Sequence, residues 1–149
     1  MGEGKSPIET QEIRLLDAAG SPRLVLSAAG GTPSMTLHRE DGTVGLAVAL
    51  DAAGRPSLTL ANPVATAPAA AVEIDDKGVH FKLDHPGGAS AYLFLNNAGA
   101  SGLVLIDTQG RRRLEAEVGV DGTVRVVRSR VPRQRDISSV TTPPAPTTR

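Results

Sequence analysis

His38, His80 and His85 are the only imidazoles in this 149-residue chain, and no two of them stand four apart, the spacing by which a helix offers a pair of metal ligands. His80 alternates with Val79 and Phe81 and so points away from the core beside Lys82, while His85 opens a His-Pro-Gly-Gly turn. The adjacent carboxylates Asp75 and Asp76 lack the Asp-x-Asp-x-Asp-Gly spacing of a calcium loop and read as a hairpin turn, Asp75-Asp76-Lys77-Gly78. Ser101, within Gly99-Ala-Ser-Gly102, has turn residues around it and no helix to follow, unlike the nucleophile of a strained strand-to-helix elbow. Gly4-Lys5-Ser6 has the last letters of a phosphate loop without the upstream glycine, strand or helix that would make it one. The absence of cysteine excludes disulfides, thiolate zinc sites, iron–sulfur clusters and thiol nucleophiles together. The expectation is a non-enzyme with no catalytic residue, no metal site and no cofactor.

The elements that carry these residues follow from composition and rhythm. The chain is 40% hydrophobic but only 2% aromatic, which makes one domain with an aliphatic core. Phe81, Tyr92 and Phe94 fall close together and read as core filling at the broadest part of a sheet, with a sugar platform as the alternative. Glycine recurs at Gly20, Gly31, Gly42, Gly54, Gly78, Gly88, Gly99, Gly110 and Gly122, in steps of 11, 11, 12, 24, 10, 11, 11 and 12. The long step is two shorter ones with the middle turn written as Pro63-Val-Ala-Thr-Ala-Pro68.

Between the turns apolar residues take every second position, as in Val44, Leu46, Val48 and Leu50, or Leu114, Ala116, Val118 and Val120. Period two bounded by turn signals predicts half-buried strands, about eleven of them. A longer unit of about 22 residues, strand-turn-strand-turn, lies over the first: Met35-x-Leu37 leads to Gly42 as Ile13-x-Leu15 leads to Gly20. The predicted class is therefore all-β, a tandem short-strand repeat. An antiparallel meander is preferred, with type I′ turns at Asp41-Gly42 and Asp121-Gly122, and a flattened β-solenoid is the alternative.

A narrow meander leaves one apolar face wet unless something covers it. Packing on copies of the same chain is the preferred answer, which makes the protein a self-associating, homo-oligomeric scaffold or spacer. The alternative is a monomeric sandwich or barrel that binds a protein or glycan partner. The folded part is expected over residues 12–128, after a polar lead-in of residues 1–11 and before a Pro/Thr/Arg-rich extended tail, residues 129–149.

Charge is uneven along the chain. Residues 1–110 carry seven basic against twelve acidic side chains, and residues 111–135 carry eight arginines against three acids. Arg111, Arg112, Arg113, Arg125, Arg128 and Arg130 are therefore the candidate partner contacts, toward another protein or subunit. Nucleic acid is disfavoured because neither stacking aromatics nor a groove-reading helix is present. No signal segment or apolar run long enough to span a bilayer occurs, which predicts a cytoplasmic location by default, with an extracellular or virion particle as the other setting. The unit Leu-x-Asp-x-x-Gly-x-x-Arg-Leu at Leu105–Leu114, matched less fully at Leu15–Leu24, resembles tandem Asp-x-x-Gly-x-x-Arg β-repeats of bacterial proteins and of phage tail-fibre-like proteins. That resemblance covers roughly residues 12–128 and implies elongated β structures whose chains trimerise.

Overall fold

The computed structural model describes residues 8–129, and over them the chain is all-β. Eleven strands follow one another: β1 (Glu12–Leu16), β2 (Pro22–Ser27), β3 (Ser34–His38), β4 (Val44–Leu50), β5 (Pro56–Leu60), β6 (Ala69–Ile74), β7 (Gly78–Asp84), β8 (Ser90–Asn96), β9 (Ser101–Ile106), β10 (Arg112–Val118) and β11 (Val124–Arg128). Each pairs antiparallel with the next in a single sheet, in sequence order from β1 to β11. Consecutive pairing is what a meander requires and a solenoid forbids, so the solenoid alternative falls. The sheet is also open: β1 and β11 have one neighbour each, and the described residues form neither a barrel nor a second layer.

The turns explain the rhythm. The nine glycines of the eleven-residue step are the nine with positive φ, and no other described residue has one. At Arg39-Glu-Asp-Gly-Thr43 the Gly42 N–H donates to the Arg39 carbonyl (3.0 Å) and the Arg39 N–H to the Thr43 carbonyl (2.9 Å). With Asp41 at negative φ and Gly42 at +79°, this is a type I turn closed by a glycine bulge and not the expected type I′ turn, which needs positive φ at both central residues. Asp121-Gly122 is built the same way, with Gly119 in the first position, and Val120 consequently lies in the turn instead of extending β10. Side chains finish the turns. Asp107 Oδ1 accepts the backbone N–H groups of Gln109 (2.9 Å) and Arg111 (3.0 Å), and Asp17, Asp51 and Asn96 repeat that arrangement.

The longer β5–β6 connection is held from outside itself. The Arg39 guanidinium donates to Thr43 Oγ1 (3.1 Å), the Val44 carbonyl (3.0 Å) and the Ala61 carbonyl, and lies 3.5 Å from where a Cβ on Gly45 would stand. Glycine inside a strand is unfavourable unless something approaches closely, and here a cation does. Arg39→Ala removes three hydrogen bonds from a charged donor at a partly exposed site and is expected to cost about 1 kcal/mol, read as a lower urea midpoint at unchanged m-value.

Candidate functional site

Side-chain alternation sorts the eleven strands into two unlike faces. On one, cross-strand register lines up three rows. The first runs from Leu15 through Leu24, Leu37 and Leu46 to Leu105, Leu114 and Arg128. The middle row runs from Ile13 through Leu26 and Met35 to Phe81, Leu93, Leu103 and Val126. The third includes Ile74, Val79, Leu95, Ser101, Val118 and Val124. In these rows Arg128 is the one charged side chain. The large apolar residues there are open to solvent in the single chain: Phe81 is 43% exposed, Leu93 56% and Leu95 52%. Strands about 20 Å long, stacked in ten steps of about 4.8 Å, give an apolar face of about 950 Å². Patches of that size mark interaction surfaces.

Relief on this face is uneven. Two grooves of about 510 Å³ lie over β6–β9, one lined by Val72, Phe81, Leu93 and Ser101, the other by Leu83, His85, Ala91 and Leu105. Within several strands a large residue at one end of the face is matched by a small one at the other: Ala70 with Ile74, Ala91 with Leu95, Leu105 with Ser101.

The opposite face is mostly polar or small, with Val25, Tyr92, Phe94, Val104 and Val127 among its larger apolar members. It carries Ser27, Ser34, Thr36, Ser57 and Thr59 toward β1 and charges toward β11, and it also holds the most deeply buried side chain of the described residues, Val104, at 1% exposure. Val104 is flanked across the ladder by Tyr92 and Glu115. Tyr92 and Phe94 tilt against each other here with ring centres 6.1 Å apart, while Phe81 belongs to the apolar face. The three aromatics therefore do not share one core, because Phe81 and Phe94 differ by an odd number of strand positions across the β7–β8 ladder.

Four of the six candidate arginines are paired within the chain at the sheet's end. Arg111 and Arg113 reach Asp107 Oδ2 (3.2 and 2.6 Å), Arg112 reaches Glu115 (3.0 Å), and Arg125 reaches Glu115 (3.0 Å) and Glu117 (3.2 Å). Arg128 closes the first apolar row, and Arg130 lies outside the described residues. The histidines act on turns. His38 meets Thr36 Oγ1 (2.9 Å) and the Gly42 carbonyl (3.2 Å), His80 meets Asp75 (3.2 Å), and His85 Nδ1 accepts the Gly87 N–H (2.8 Å). Among the described residues no three metal-ligating side chains come together, and no helix is long and apolar enough to cross a membrane.

Five turn aspartates titrate low because they accept hydrogen bonds as carboxylates. Asp107 is held well below the ordinary carboxylate range by the Arg111 N–H and then the Arg113 guanidinium; Asp51 is lowered by the Arg55 N–H, Asp75 by the Lys77 N–H, Asp121 by the Thr123 N–H, and Asp41 by the Thr43 hydroxyl. Their pull below the ordinary value of 3.8 adds stability that is complete above that pH and is lost as pH falls through and beneath it. A thermal melting series is expected to stay flat from about pH 7 to 5 and drop below about pH 4, with a shallower drop in Asp107→Asn.

No protein-family model, curated protein or solved structure matches the chain.

Proposed function

We propose that this chain is a non-enzymatic structural module, a β-repeat scaffold that completes its core by packing its apolar face on copies of itself. One observation carries the reading: the middle row of apolar side chains, from Ile13 to Val126, crosses all eleven strands without a break, and the described residues form no second layer to cover it. A pair of faces would bury about 1,900 Å², above the roughly 1,600 Å² of a standard stable interface.

The ends of the sheet support the same reading, since they are built against growth. Gln11 turns its carbonyl toward β2, so Glu12 points its N–H and carbonyl outward, and the Thr10 hydroxyl bonds both (3.4 and 3.1 Å). At the other end β11 carries Arg125 and Arg128, the sort of charge that keeps an exposed edge from pairing. Guarded edges beside an unguarded face direct association to the face. The basic end, through Arg111, Arg112, Arg113 and Arg125 away from the apolar face, supplies an attachment surface for another protein. Sedimentation across a dilution series tests this. A multiple-chain mass that persists into the sub-micromolar range is expected, whereas a single-chain mass with full β circular dichroism favours the monomeric binding module for a protein or glycan.

A further inference from the structure

We infer that the occupant of the apolar face is one second copy, related by a two-fold axis that runs along the length of the ribbon beneath its middle row. This rests on the self-association just proposed and specifies its geometry. Sheets rotate by about 20–25° per strand, so ten steps accumulate more than half a turn. A two-fold axis lying across the ribbon brings two such faces together only near the axis, and they diverge beyond it. An axis along the ribbon lets both copies wind about the same line, each strand facing its own counterpart in the partner, antiparallel, along the full length.

That arrangement sets the first row of one copy over the third row of the other, four residues away on the same strand. On β6, β8 and β9 the relief of the face is complementary under this operation. Ala91 receives the partner's Leu95, Ser101 receives the partner's Leu105, and Ala70 receives the partner's Ile74. Ala91 and Ser101 each line one of the two grooves, so each groove is a socket for a leucine. A three-sided closure fits less well. Strands about 20 Å long put its axis about 6 Å from each sheet and leave first-row leucines about 3 Å from the next sheet's plane, too little for a side chain.

The test is a swap. Ala91→Leu overfills the socket twice per pair and is expected to raise the dissociation constant about thirtyfold or more. Adding Leu95→Ala in the same chain restores the large-over-small match and brings the constant back to within a few-fold of wild type. Both variants are checked by sedimentation and by unchanged β circular dichroism. A wild-type dimer whose double variant stays as weak as Ala91→Leu overturns the axis while leaving self-association standing, and a three-chain mass does the same. A wild-type monomer overturns both.

Discussion

Phe81→Asp is expected to leave the chain in single copies. Phe81 occupies the middle row on β7, between Val72 and Leu93 across the ladder, and is 43% exposed when the chain stands alone. In the single chain the carboxylate therefore stays in water and costs the fold little. Once a partner covers the face, the same carboxylate is buried with no cation to meet it, because Arg128, the one charge in the three rows, sits four strands away at the end of the sheet. An unpaired buried charge costs several kcal/mol, here once per copy, so the dissociation constant should rise by about a thousandfold or more. Thr59→Asp, on the polar face and exposed, is the control and should leave the mass unchanged. An assembly that forms equally well with aspartate at position 81 means that the contact lies elsewhere.

Gly78→Ala should be the most damaging small substitution to the sheet itself. A Cβ there would stand 2.2 Å from the Leu95 carbonyl oxygen and 2.7 Å from Asn96 Cα, both backbone, at a φ of +147° that L residues avoid. Neither obstacle is a flexible side chain, so the β7–β8 pairing itself must shift, at an expected cost of about 3 kcal/mol or more and a melting temperature lower by about 10 °C. Gly102→Ala is damaging for a different reason: its Cβ would meet the Ala116 carbonyl (2.6 Å) and the Phe94 ring (2.7 Å). Gly30→Ala has open space and an ordinary φ, and its melting temperature should not move. Equal melting of the Gly30 and Gly78 variants would remove the argument.

The sequence made the strands and their punctuation legible because both rest on local physics. Turn glycines announce positive φ, and alternation announces which side of a pleat is apolar. From Leu15 and Leu24 alone one expects a row, and the register supplies it. Layer number was not legible, because a strand half buried against its own chain and one half buried against another show the same period of two. The turn type at Asp41-Gly42 is not legible for a related reason: the dipeptide suits a two-residue loop, but the bond closing this turn runs from Arg39 to Thr43, a span that the pair does not encode. The internal pairing of the arginine run is not legible in composition, which counts charge without geometry. Asp107, only four and six residues from Arg111 and Arg113, already holds both. Two strand glycines outside the rhythm, Gly45 and Gly102, did carry a signal, since such a glycine marks a close approach; the sequence does not say that the visitors are the Arg39 guanidinium and the Phe94 ring.

That the apolar face is covered in solution is most directly tested by chemistry the chain lacks. With no native cysteine, a thiol introduced at Leu93 on the apolar face and, separately, at Thr59 on the polar face reports solvent access at one atom each. In the full-length folded protein, thiol-reagent modification of Leu93→Cys is predicted to run about a hundredfold slower than that of Thr59→Cys and to equalise on unfolding. Equal rates in the folded state, with the β signal intact, would show a bare face and contradict the account.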